Sequence, residues 1–238
     1  MSTTPRRIIV ALGLTLGLAA PADATAQYAP EALTEEGAVP AVGERMEYRV
    51  RLGRLRLGQA ALAVEAQEDV AGTSAYRVAL DVEIGAPMLK FEDRLVSWIA
   101  PEPFRSVAFE RKDSEVEGGR RRYDFDDDVL DELAALYLMR TLPLAQGTTY
   151  EFDRYFAPDG NPLTFRVVGH ESVRVPAGRF ETIVVEPIIP ALSAFRAEAD
   201  ARLYVTNDER RVLVQIETRT KAGRLILYMT EYEEGTHP

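Results

Sequence analysis

The chain contains no cysteine, only two histidines and one tryptophan, and its cations are outnumbered by its acids. Without cysteine there are no disulfides, thiolate metal ligands, cysteine nucleophile or lipid-bearing N-terminal cysteine, so packing alone must hold the fold. Against 38 Asp and Glu stand 28 Lys and Arg, a formal charge of −10. That balance argues against nucleic acid as a partner, because such binding rests on clustered cations that neutralise phosphates. His170 and His237 are the whole histidine complement, and His237 is next to the last residue. A Ser-His-Asp arrangement would therefore rest on His170, whose neighbour Glu171 faces the opposite side of any strand. No G-x-S-x-G elbow, P-loop or dinucleotide-binding glycine pattern occurs. The expectation is a protein with no catalytic residues, no enzyme activity, no metal and no cofactor.

Long apolar runs are also missing after residue 30, so the chain is not expected to span a membrane once a leader is removed. That leader is the first 26 residues. Arg6 and Arg7 form a basic start, Ile8 to Ala20 an apolar stretch, and Ala22, Ala24 and Ala26 offer cleavage after Ala24 or Ala26. Export of a disulfide-free chain suits a bacterial periplasm. Residues 27–42, with Pro30, Gly37 and Pro40, read as a linker or N-terminal arm, and 43–234 as a single β-domain.

What the sequence has in quantity is alternation. Met46, Tyr48, Val50 and Leu52 share one parity while Arg45, Glu47, Arg49 and Arg51 share the other; Tyr76, Val78, Leu80, Val82 and Ile84 repeat the pattern. Between Leu55, Leu57 and Leu62, Val64 the parity switches across Gly58, which predicts a β-bulge or sharp bend. Further β-runs follow at Phe91 to Ile99, Phe104 to Arg111 and Arg120 to Phe125. Val173 to Val185 reads as two runs joined by a turn at Pro176 and Gly178. The chain ends in a three-strand meander over Glu198 to Thr206, Arg211 to Thr218 and Arg224 to Tyr232. One helix is expected, Asp128 to Arg140, with Leu130, Leu133, Leu136 and Tyr137 on one face and Asp126 to Asp128 as its cap. The fold expected is all-β and predominantly antiparallel, a curved sheet or partly open β-barrel with this amphipathic helix as a lid or plug.

Four segments in this order, GERMEYRVRLGRLRLGQAAL, ALYLMRTLPLAQG, VRVPAGRFETIVVEP and ARLYVTNDERRVLVQI with AGRLILY, resemble the bacterial exported proteins of domain-of-unknown-function family 3108. The resemblance spans roughly residues 43 to 232. It implies an envelope-located antiparallel β-fold with no established activity and brings no catalytic or binding residues with it. Arg54 and Arg56 stand where that family often shows aromatic or glycine-rich stretches.

Candidate binding residues are apolar. Tyr48, Phe91, Trp98, Phe109, Phe152, Leu133 and Tyr137, together with Phe104 and Phe156, could line a concave cavity under the helix, or form ordinary core. The acidic run Asp124, Asp126, Asp127, Asp128, Asp131, Glu132 starts like a calcium loop, but Val129 and Ala135 occupy the positions that need Gly and Glu, and helix capping explains it. Arg111, Lys112, Arg120, Arg121 and Arg122 could face anionic lipid or pair across strands. The function expected is binding or transfer of an apolar or amphipathic envelope molecule, with a lipid as ligand. The alternative is a non-catalytic structural or scaffolding protein that offers a β-edge to an envelope protein partner.

Overall fold

In the computed structural model of the chain, residues 25–26, 40–86, 89–112, 119–190 and 200–236 are described, with backbone alone at 25–26, 86 and 89–91. The predicted leader and arm fall mostly outside them. The strands are β1 (Thr25–Ala26), β2 (Arg45–Leu52), β3 (Leu55–Val70), β4 (Thr73–Ala86), β5 (Leu89–Pro101), β6 (Phe104–Lys112) and β7 (Arg120–Asp124). The helix α1 (Glu132–Thr141) follows. After it come β8 (Thr149–Phe152), β9 (Leu163–Val175), β10 (Gly178–Ile188), β11 (Arg202–Thr206), β12 (Leu213–Thr220) and β13 (Gly223–Glu233).

These strands form one sheet in the order β1-β8-β9-β10-β11-β12-β13-β2-β3-β4-β5-β6-β7. Every pairing is antiparallel except the two-residue contact of β1 with β8. Because β13 returns to pair with β2, the sheet curls into an incomplete barrel whose edges are β7 on one side and β8 with β1 on the other. The all-β, antiparallel expectation therefore holds. Alternation in β2 buries Met46, Tyr48 and Val50 and leaves the arginines outward. At Gly58 the register slips opposite Val50 and Arg51, the predicted bulge. A Cβ there would lie 1.8 Å from the Glu83 carbonyl oxygen, so only glycine allows β3 and β4 to approach this closely. The β9–β10 hairpin turns through Pro176 and Ala177 as its residues suggest.

The helix starts later than its spacing predicts. Residues 125–131 bend at 126–128 and then bridge from β6 to the segment after β8. Ser106 N–H donates to the Val129 carbonyl at 2.8 Å, and Leu130 N–H to the Arg154 carbonyl at 2.6 Å. Backbone already bonded to β6 and to the segment after β8 cannot also enter a helix, so the cap is Asp131 and not the Asp126 to Asp128 run. Its carboxylate accepts from Leu133 N–H and Ala134 N–H at 2.8 and 3.0 Å. Leu133, Ala134, Ala135, Tyr137, Leu138, Met139, Arg140 and Thr141 are all buried, which makes α1 a plug inside the curl.

Candidate functional site

The plug is anchored at its C-terminal end by a buried ion pair. Arg140 donates to both oxygens of Glu44, at 2.8 and 2.6 Å, and to the carbonyls of Arg210 and Arg211 at 3.0 Å each. Tyr137 donates to the same carboxylate at 3.0 Å. Burial works against the guanidinium charge, but the Glu44 carboxylate outweighs it and holds the Arg140 pKa above its ordinary value. Burial, with Glu44 beside it, pushes the Tyr137 phenol well up. Tyr48 donates to the Leu213 carbonyl at 2.8 Å. Each of these groups is matched, so this cluster is architecture.

The aromatic residues expected to share one lining surface separate. Tyr48, Leu133, Tyr137 and Phe152 lie in the principal core. Ser97 and Ile99 of β5 point into the curl, so Trp98 points out. There it packs on Ala75, Ala79, Val96, Ala100, Val107 and Ala108, with its indole N–H on Glu68 and the Arg122 guanidinium 4.4 Å from the ring centroid. The side chain of Phe91 lies outside the described residues. Phe109 is fully buried and leads to a different place, the seam between the sheet edges.

At that seam Phe156 is surrounded by four rings. Its centroid lies 5.8 Å from Phe109, 5.2 Å from Tyr123, 5.7 Å from Phe125 and 4.9 Å from Tyr155. Tyr123 and Phe125 stack at 6.4 Å. A groove of about 430 Å³ opens here, lined by Arg111, Tyr123, Phe125, Tyr155, Phe156, Ala157 and Asp159. Asn161 clamps the turn by accepting from Tyr155 N–H at 2.8 Å and donating to the Tyr155 carbonyl at 3.0 Å. A Cβ on Gly160 would meet the Tyr155 ring at 2.0 Å, so glycine is required where the loop passes over it.

Behind Tyr155 and Arg111 sits Glu132. Its Oε1 accepts from the Tyr155 hydroxyl at 3.0 Å and lies 3.8 Å from Arg111 Nη1. Its Oε2 is buried without a partner among the described residues. Burial and the adjacent Asp131 carboxylate raise the Glu132 pKa to about 7. Burial likewise pushes the Asp131 carboxyl up, opposed by the hydroxyls of Ser97 and Ser106 and by the capped amides. Burial with Glu132 beside it raises the Tyr155 phenol, so Tyr155 serves as a donor. A perturbed carboxyl behind an aromatic groove is what a binding or proton-handling site presents. Two further grooves, about 420 and 460 Å³, lie on the charged outer face around Asp81 and Glu83.

The remaining candidates spread out. Asp124 pairs with Arg122 and Asp128 with Arg154, while Asp131 caps the helix. Arg120 pairs with Glu110, and Lys112 donates to the Glu92 carbonyl at 3.0 Å. His170 is exposed. Sequence reasoning missed Glu132, Tyr123, Phe125 and Tyr155 as a group. The one available signal was Tyr123 and Phe125 at period two on a strand otherwise made of charges.

The family model described as protein of unknown function (DUF3108) matches residues 112–230, half of the chain. No curated protein matches the chain. Among solved structures, the hypothetical protein CT021 from Chlamydia trachomatis is similar at 9% identity and a TM-score of 0.44, covering 87% of this chain and 94% of that one. A beta-barrel-like protein of domain of unknown function DUF1849 from Brucella abortus is similar at 9% identity and 0.47, covering 82% and 98%. A candidate exported protein with a YmcC-like fold from Bacteroides fragilis follows at 10% and 0.33, covering 82% and 97%. No helix among the described residues is long and apolar enough to cross a membrane.

Proposed function

The chain belongs to the DUF3108 family of proteins of unknown function, and from that premise we propose that it is an exported, periplasmic, non-enzymatic protein that binds an amphipathic envelope molecule at the seam. The observation that carries this reading is the aromatic groove itself. Of the three grooves described above, it alone has mainly ring walls, with Phe125 and Phe156 half-buried and a cation, Arg111, at its side. Ring faces suit an acyl or aromatic portion, and Arg111 suits an anionic group. The lining holds no serine, cysteine or histidine to act as nucleophile, which favours binding over turnover.

Native mass spectrometry of the protein purified from its own periplasm, followed by organic extraction, tests this. A bound lipid at near one-to-one stoichiometry is expected in the wild type and is lost in Phe125→Ala with Phe156→Ala. A clean apoprotein mass that envelope lipids do not change would sink it. The second reading, a scaffold without ligand, is favoured by one observation: Tyr48, Leu133, Tyr137 and Phe152 are packed in core and leave the interior of the curl filled. Under that reading the mass is clean and an envelope protein co-purifies.

A further inference from the structure

Leu55 is 66% exposed and is the single large hydrophobic side chain exposed among the described residues. It sits at the tip of the β2–β3 hairpin between Arg54 and Arg56, both exposed. Arg51 fixes the turn by donating from Nη2 to the Arg54 carbonyl at 2.9 Å. The β12–β13 hairpin ends beside it: Leu225 pairs with Leu52, and Gly53 N–H donates to the Arg224 carbonyl at 3.0 Å. Its turn adds the exposed cation Lys221. Arg219 and Arg224 spend their charge on Asp200 and Glu217, whereas Arg54, Arg56 and Lys221 form no ion pair with any described residue.

Three uncompensated cations around an exposed leucine stand out on a chain whose formal charge is −10. The acid excess elsewhere repels an anionic surface, and this corner joins uncompensated cations to an exposed apolar side chain that can enter one. The β2–β3 turn is held by hydrogen bonds, Arg51 to the Arg54 carbonyl and Gly53 N–H to the Arg224 carbonyl, with Gly53 at φ 56° and Gly223 at φ 128°, so the leucine is presented on an ordered turn. We propose that the paired tips of the β2–β3 and β12–β13 hairpins dock on an anionic phospholipid surface, with Leu55 entering the interface and Arg54, Arg56 and Lys221 meeting headgroup phosphates. The docking is peripheral and reversible, because one leucine and three cations fall well short of a permanent anchor. It is independent of the seam groove.

Flotation of the full mature protein with phosphatidylcholine vesicles, with and without phosphatidylglycerol, tests it. Binding is expected only with phosphatidylglycerol and weakens as salt is raised. Arg54→Gln with Arg56→Gln should weaken it by roughly 25-fold, at about fivefold per cation. Leu55→Asp should weaken it by about tenfold through lost insertion, with unfolding unchanged because the side chain is already in water. Equal binding by wild type and both variants overturns the proposal. So does equal binding to neutral vesicles, or salt-sensitive retention on a soluble polyanion with none on vesicles.

Discussion

At the C-terminal end of α1 the Glu44 carboxylate meets Arg140 at both oxygens and Tyr137 besides, whereas at the N-terminal end one oxygen of Glu132 has no partner among the described residues. Both carboxylates are withdrawn from water by the same ten-residue helix. The difference is in what faces them. Glu44 is enclosed by a planar guanidinium whose fork matches its two oxygens, an arrangement that fixes one geometry. Glu132 has a phenol at hydrogen-bond distance, a guanidinium at 3.8 Å and the like-charged Asp131 next to it. The first end locks the plug; the second leaves a titratable group behind an open groove.

Breaking the locked end should have the largest effect. Arg140→Met leaves the buried Glu44 carboxylate without its cation and removes the donors that Arg140 supplies to the carbonyls of Arg210 and Arg211. A loss of about 3–5 kcal/mol is expected in urea unfolding, the range for removing one partner of a buried pair. A loss under about 1 kcal/mol would mean that Glu44 reaches water and that the pair is not structural. Adding Glu44→Gln to Arg140→Met should restore part of the loss, since the uncompensated charge is then gone.

Asp131 sharpens the comparison from the other end. Asp131→Ala removes the helix cap and leaves two amides and the Ser97 hydroxyl without their acceptor, in a site with no exposure. About 2–4 kcal/mol is expected, of which roughly 1 is the cap. Asp131→Asn keeps an acceptor oxygen and should lose less than half of that. Equal losses for the two variants would show that charge, not hydrogen bonding, is what Asp131 supplies.

How far the sequence reaches is clear from these residues. Strand parity placed Met46, Tyr48 and Val50 inside and marked the bulge at Gly58, because both follow from a period of two along one strand. The start of α1 was misjudged because Asp126 to Asp128 look like caps locally, and backbone bonds from Ser106 and to Arg154 decide otherwise. The seam was not legible at all. Phe109 on β6, Tyr123 on β7 and Tyr155 and Phe156 beyond β8 become neighbours only when the curled sheet brings its two edges together. Parity tells which residues of one strand share a face; it does not tell which edges meet. Trp98 illustrates the converse, an aromatic whose parity alone sends it to the outer face.

The smallest effect is the most diagnostic, because it depends on pH. Glu132 ionises near pH 4.3 in an unfolded chain. In the fold its pKa is raised to about 7. Between those values the native state holds more protons than the unfolded one, so stability falls as pH rises. The contribution of the neutral carboxyl is fully present below about pH 4 and lost as pH rises through about 7. Glu132→Gln cannot ionise and keeps an oxygen for Tyr155, so it should track the wild type near pH 4 and exceed it by about 1–3 kcal/mol at pH 8. Urea midpoints at the two pH values read this directly. If the variant differs from wild type by the same amount at both, Glu132 does not titrate in this window, Arg111 already neutralises it, and the two ends of α1 are more alike than their contacts indicate.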